Sequence, residues 1–183
     1  MAIGWFIVCI VLFIVLLIFG MCKVSGDSAD AEAAYFSTVK ATPKPTETWI
    51  RYPVPLDDNL QKYIQQKCAE KQISPAIVFA IIGVESGYDA TVVGDNGNSY
   101  GLMQIYHDVH LERMKRLGLY NLLNPYQNVT VGIDILAELI DMGNGIEWAL
   151  SYYNGNGGNP CDYTKTVMNL AECLLEGVTV VSE

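Results

Sequence analysis

Hydrophobic positions follow two regimes along this chain. From Met1 to Cys22 no side chain is charged and almost none is polar. As a helix rising about 1.5 Å per residue, that run spans roughly 30 Å, the depth of a bilayer's hydrocarbon core. Beyond it, apolar residues recur at helical spacing. Leu60, Ile64 and Cys68 lie four apart within Leu56 to Lys71, with Asp57 and Asp58 suited to an N-terminus. Ser74-Pro75 reads as a cap followed by a first-turn proline. The helix it opens carries Ile77, Val78, Ile81, Ile82 and Val84, apolar all round, as a central buried helix is. Gly87 is its C-cap.

Gly94 to Tyr100 is rich in glycine and asparagine and predicts tight turns with a small hairpin. A helix is expected from Val109 to Leu117. Asn124-Pro125 starts another, with Val129, Ile133, Leu136 and Ile140 in an amphipathic stripe that Gly143 and Gly145 end. Ile146 to Tyr153 forms a short helix, Asn154 to Asn159 a loop, and Cys161 to Leu175 the last helix. The expected fold is mainly α, with one small turn and hairpin region, preceded by one transmembrane helix. The organisation is an anchor over 1–22, a linker over 23–50, a domain over 51–176 and a tail over 177–183. Within the linker, Thr42-Pro43-Lys44-Pro45-Thr46-Glu47-Thr48 lacks apolar residues and has two prolines, so it should be extended.

The first run also has competing readings. Signal peptides carry a basic start and an apolar stretch of about 7–15 residues. Here no Lys or Arg precedes the run, and it is longer. Cys22 would suit lipidation, but Gly20-Met21 puts a bulky methionine before it. An uncleaved single-pass anchor is the expectation. Lys23 alone says little about orientation.

Composition narrows the function. The 183 residues carry a formal charge of −9, which argues against nucleic acid as a partner and gives no attraction to an anionic polymer. Binding must come from a shaped groove, hydrogen bonds and aromatic faces, and eleven tyrosines can supply these. His107 and His110 are the two histidines, and with Cys68, Cys161 and Cys173 they match no metal-site spacing, so neither metal nor cofactor is expected. Whether Cys161 or Cys173 joins a disulfide is open; buried free thiols are the plainer reading. Asn128-Val129-Thr130 matches a glycosylation sequon but sits in a helix start.

The candidate chemistry is at Glu85. It ends a buried helix, where burial and the negative end of the helix dipole both disfavour a carboxylate. A carboxyl that keeps its proton near neutral pH can serve as a general acid. Position alone also fits an ordinary solvated helix-end glutamate. A glycine-rich turn and a short apolar-polar segment, Gly94 to Ile105, follow and can fold over the acid.

Five motifs in order resemble one family. Ile81-Ile82-Gly83-Val84-Glu85-Ser86-Gly87 resembles its catalytic helix end, and Ser99-Tyr100-Gly101-Leu102-Met103-Gln104-Ile105 its second motif. Leu123 to Gly132 resembles the third, Ser151-Tyr152-Tyr153-Asn154-Gly155 the fourth, and Tyr163 a further tyrosine. The chain is thereby identified as similar to the lysozyme-like lytic transglycosylases with an SLT-type catalytic domain, over about residues 56 to 170. The resemblance implies a lysozyme-like α+β domain that cleaves the MurNAc-GlcNAc β-1,4 bond of peptidoglycan. Glu85 would be the sole catalytic acid and later the base. Ser86 would shape the turn beside it. Ser99, Met103 and Gln104 would line the groove, with Gln104 bonding sugar. Tyr153 and Asn154 would face the sugar near the scissile bond, and Tyr163 would flank Glu85. Core packing is the competing reading for Met103 and Tyr153.

Two departures stand out. Ser151-Tyr152 replaces a common alanine, and no Ser-x-Ala-Gly-Ala segment precedes Gly101. The stretch Gly94-Asp95-Asn96-Gly97-Asn98 is closer to goose-type lysozymes, where such an aspartate would position an attacking water. A muramidase using Asp95 as a second carboxylate therefore competes with a transglycosylase that needs none. As a turn-capping residue, Asp95 would do neither. A glycan-binding or scaffold subunit of an envelope-spanning machine, such as a conjugation, secretion or phage apparatus, is the remaining alternative. The expected location is the cell membrane, with the catalytic domain on the cell-wall side.

Overall fold

The structure, a computed structural model, describes residues 48–182. The expected anchor over 1–22 and the linker up to residue 47 lie outside the described residues. Among the described residues no helix is long and apolar enough to cross a membrane.

Among the described residues six helices dominate. α1 (Asp58–Lys71) is capped by Asp57, whose side chain accepts from the Leu60 N–H. α2 (Pro75–Ser86) follows Ser74 with Pro75 in its first turn, although the serine hydroxyl makes no capping bond. α3 (His107–Leu117) starts two residues earlier than Val109, because the chain passes straight from a strand into the helix. α4 (Pro125–Asp141) is capped by the Asn124 side chain on the Gln127 N–H. α5 (Ile146–Tyr153) and α6 (Asp162–Glu176) complete the set.

Seven consecutive residues of α2, Ala76 to Ile82, are buried. α2 packs most extensively against α6, and α1 against α4. Apolar burial is the main favourable term in folding, and this helix contributes seven residues to it. Gly87 ends α2 in the left-handed conformation (φ +59°) that glycine adopts without strain.

The hairpin region contains three two-residue strands, β2 (Val93–Gly94), β3 (Ser99–Tyr100) and β4 (Ile105–Tyr106), antiparallel in the order β2-β3-β4. Gly94 pairs with Ser99, and Tyr100 pairs with Ile105. Asp95, Asn96 and Gly97 all take positive φ in the β2-β3 turn, residues for which this region is least costly. Fully buried Asn128 ties this sheet to α4. Its amide donates to the carbonyls of Tyr100 (2.7 Å) and Leu122 (2.9 Å), and its carbonyl accepts the Met103 N–H at 2.8 Å. Gly101 (φ +73°) lies against this site: a Cβ there would sit 2.3 Å from the Leu122 carbonyl oxygen.

The expected boundaries at both ends of the domain change. β1 (Thr48–Arg51), assigned mostly to the linker, pairs antiparallel with β5 (Thr179–Ser182), assigned to the tail, with Thr48 opposite Ser182 and Arg51 opposite Thr179. Each segment alone is too short to announce a strand; the pairing depends on contacts across the whole domain. Cys68 is buried, Cys161 partly buried and Cys173 exposed, and all three are free thiols. Burial pushes the Cys68 thiol up to about 12.

Candidate active site

The last turn of α2 carries Glu85 into a cleft of about 660 Å³. The hairpin forms one wall through Gly94, Asp95, Ser99 and Gln104. α5 contributes Tyr152 and Tyr153, with Asn154 just after it. α3 and α4 contribute His110, Arg113 and Glu138.

Glu85 is partly buried, and its Oε1 accepts a 2.6 Å hydrogen bond from the Tyr163 hydroxyl, delivered by the first turn of α6. Burial drives its pKa above the usual carboxylate value. The Tyr163 bond works the other way, and the negative charge of Asp95 adds to the rise. Tyr163 is itself pushed far upward by burial and by the neighbouring Glu85 charge, so it remains a donor.

The hairpin acid is positioned by its turn. Buried Ser99 donates its hydroxyl to the Asp95 carboxylate. Asp95 thus combines the turn role with a place in the Glu85 cleft. Ser86 does not line the cleft. Its hydroxyl donates to the Leu102 carbonyl at 2.9 Å, with the Ile82 carbonyl at 3.1 Å, and so fastens the end of α2 to the segment after β3.

Three other expected residues take roles set by packing. Met103 is fully buried and absent from the cleft wall, which corrects its expected place there. Its sulfur fills the space beside Gly132, where a Cβ would come within 2.4 Å, so α4 admits it only because residue 132 has no side chain. Gln104 does line the cleft, but its amide donates to the carbonyls of Gly101 (2.9 Å) and Val92 (3.2 Å), which leaves that group bracing the hairpin. Tyr153 lines the cleft while its hydroxyl donates to the Met103 carbonyl at 2.8 Å, and burial lifts its pKa well above the usual phenol value. Asn154 is exposed at the cleft edge.

Sequence reasoning missed the part of the cleft lined by α3 and α4. His110 and Arg113 lie on α3 and Glu138 on α4, joined by a 2.6 Å bond from Arg113 to Glu138. No local motif marks them, because the wall exists only once α3 packs on α4.

The described domain is thus mainly helical, with a carboxyl held by a tyrosine in a cleft. Residues 62–172 match the Transglycosylase SLT domain family. That is more than half of the chain, and the chain belongs to this family. Among solved structures it is similar to the 70 kDa soluble lytic transglycosylase SLT70 from Escherichia coli, at 24% identity and a TM-score of 0.49, over 64% of this chain and 19% of that one. It is also similar to an inactive mutant of lytic transglycosylase Slt from Pseudomonas aeruginosa, at 17% identity and a TM-score of 0.48, over 61% of this chain and 21% of that one. The chain thus aligns with about a fifth of the length of either transglycosylase.

Proposed function

We propose that this chain is a peptidoglycan lytic transglycosylase that cleaves the β-1,4 bond between MurNAc and GlcNAc. The observation that carries the reading is Glu85, a carboxyl held by Tyr163 in an open cleft, its pKa raised by burial. Glu85 donates its proton to the glycosidic oxygen as the bond to C1 breaks. The 6-hydroxyl of the same MurNAc then attacks C1, and the Glu85 carboxylate takes up the hydroxyl proton. The acid is regenerated, no water is consumed, and the product ends in a 1,6-anhydro sugar.

Asp95 favours a second reading. It lines the same cleft and lies close enough to Glu85 to raise its pKa. As a base it would activate water, giving hydrolysis to a reducing end. Digestion of purified peptidoglycan by the full chain, followed by mass spectrometry, separates the two. Anhydro products, lighter by one water, support the transglycosylase. Reducing ends support the muramidase, and no products from wild type leave a binding or scaffold role. Glu85→Gln is the control and should release nothing.

The location that accompanies this reading is a single-pass membrane protein with its domain on the wall side. The uncharged run from Met1 to Cys22 and the position of the substrate support it. A tethered cutter of this kind suits an envelope-crossing conjugation, secretion or phage apparatus. Recovery of the full chain in the membrane fraction, resistant to salt extraction, is the expected result.

A further inference from the structure

The cleft contains an aromatic ring that acid catalysis at Glu85 does not require. Tyr152 is 48% exposed and lines the cleft beside Tyr153 and Asn154. Trp148, four residues earlier on α5, lies on the same helix face. The two rings pack in a tilted arrangement, with centroids 4.9 Å apart and planes 31° apart.

The support continues behind Trp148. A Cβ at Gly158 would come within 2.1 Å of the indole Nε1, so the loop backbone presses directly on this ring. That loop is pinned at both ends to Ser151. The Ser151 hydroxyl donates to the Asn159 carbonyl, and the Asn156 N–H donates to the Ser151 carbonyl at 2.9 Å. Ser151 and Tyr152 are also the pair that departs from the alanine common at this motif. One pins the loop that backs Trp148, and the other presents the supported ring.

Such a ring is preorganised. A tyrosine has two side-chain torsions to fix, and packing on Trp148 restricts them before any ligand arrives. Tyr106, Val109 and Met142, all exposed, line the same cleft. Large apolar side chains gathered on one concavity mark a binding surface more than singly scattered ones do. A pyranose presents an apolar C–H face that an aromatic ring matches. With a chain charge of −9, attraction to a glycan must come from neutral contacts of this kind.

We propose that Tyr152, backed by Trp148, is a stacking platform for a neutral N-acetylhexosamine ring of the β-1,4 glycan, a binding position additional to that at Glu85. This rests on the glycan-cleaving reading for the identity of the ligand. The test is calorimetry of N-acetylglucosamine hexamer binding to the full chain, in a Glu85→Gln background that prevents turnover. Tyr152→Ala should weaken binding about tenfold. Tyr152→Phe and Tyr152→Trp should keep it within about twofold, since the ring face is retained. With Glu85 intact, Tyr152→Ala should raise KM for peptidoglycan and leave kcat nearly unchanged.

Unchanged affinity in Tyr152→Ala, with or without a lower Tm, would overturn the platform and leave only packing on Trp148. An equal loss in Tyr152→Phe would overturn it as well, because the hydroxyl would then carry the contact. Absence of hexamer binding by the parent would do the same. Failure of the intact chain to cleave peptidoglycan, with this binding pattern present, removes the lytic reading and supports the platform.

Discussion

Two carboxyl groups in this domain are removed from water and meet opposite fates. Asp134 on α4 is 8% exposed and receives Lys71 from α1 at 3.0 Å and Arg113 and Arg116 from α3, Arg116 at 2.8 Å. Burial opposes its ionisation, yet the bonds from three cations outweigh it and hold its pKa below the usual value. Among the described residues no cation is paired with Glu85. A phenol lowers its pKa less than burial and Asp95 raise it. Burial alone therefore does not make a general acid. A cationic partner favours the carboxylate and makes a structural tie, and its absence leaves burial to favour the acid form.

The largest effect should come from Glu85→Gln, which keeps the shape and removes the proton donor. Turnover should fall about a thousandfold or more, measured as product release from peptidoglycan. The same variant should be more stable than wild type above the acid range. The folded pKa of Glu85 is raised from its ordinary 4.5, so the native state binds this proton more tightly than the unfolded one. Wild-type stability from this group is intact below 4.5 and is lost as pH rises through the folded value. The Tm advantage of the variant should therefore appear with rising pH and vanish in acid. An advantage that is independent of pH would break the contrast with Asp134.

Asp134→Asn should have the next largest effect, and on stability. It leaves the mostly buried Arg113 without one of its two acids. Lys71 and Arg116 are half exposed and screened, so the cost is about 3 kcal/mol, at the low end for a broken buried pair. Thermal denaturation reads it, while activity per folded molecule stays near wild type. The pH dependence is opposite to that of Glu85. With the folded pKa below 3.8, the stability from Asp134 is present above that pH and lost as pH falls through the folded value.

This contrast was only half legible in the sequence. The ends of α2 follow from Ser74-Pro75 and Gly87, and the start of α4 from Asn124-Pro125, because caps and glycines act within a few residues. The meeting of Glu85 with Tyr163 was legible from motif order, not from periodicity. The Asp134 cluster was invisible, since Lys71, Arg113 and Asp134 are far apart in the chain and meet only when α1, α3 and α4 pack. The β1-β5 ladder was missed for the same reason. Met103 was placed in the groove because its motif neighbours lie there. The vacancy at Gly132 that draws its side chain into the core belongs to another helix.

The smaller effects concern how Glu85 is tuned, and they should oppose each other. Tyr163→Phe removes the hydrogen bond that lowers the Glu85 pKa. The alkaline limb of the rate profile should move to higher pH, while kcat falls roughly tenfold because the carboxyl loses a charge-assisted bond that orients it. Asp95→Asn removes a negative neighbour that raises the Glu85 pKa, and the amide oxygen can still accept from Ser99. The alkaline limb should then move to lower pH, and by less, since Asp95 is the weaker of the two influences. At a pH well below both limbs the two enzymes differ: Asp95→Asn keeps nearly full turnover if the 6-hydroxyl is the nucleophile. If water is the nucleophile and Asp95 its base, the variant loses turnover at every pH and no shift of the limb remains to measure. One pH-rate series on Asp95→Asn therefore decides whether the second acid of the cleft tunes Glu85 or works beside it.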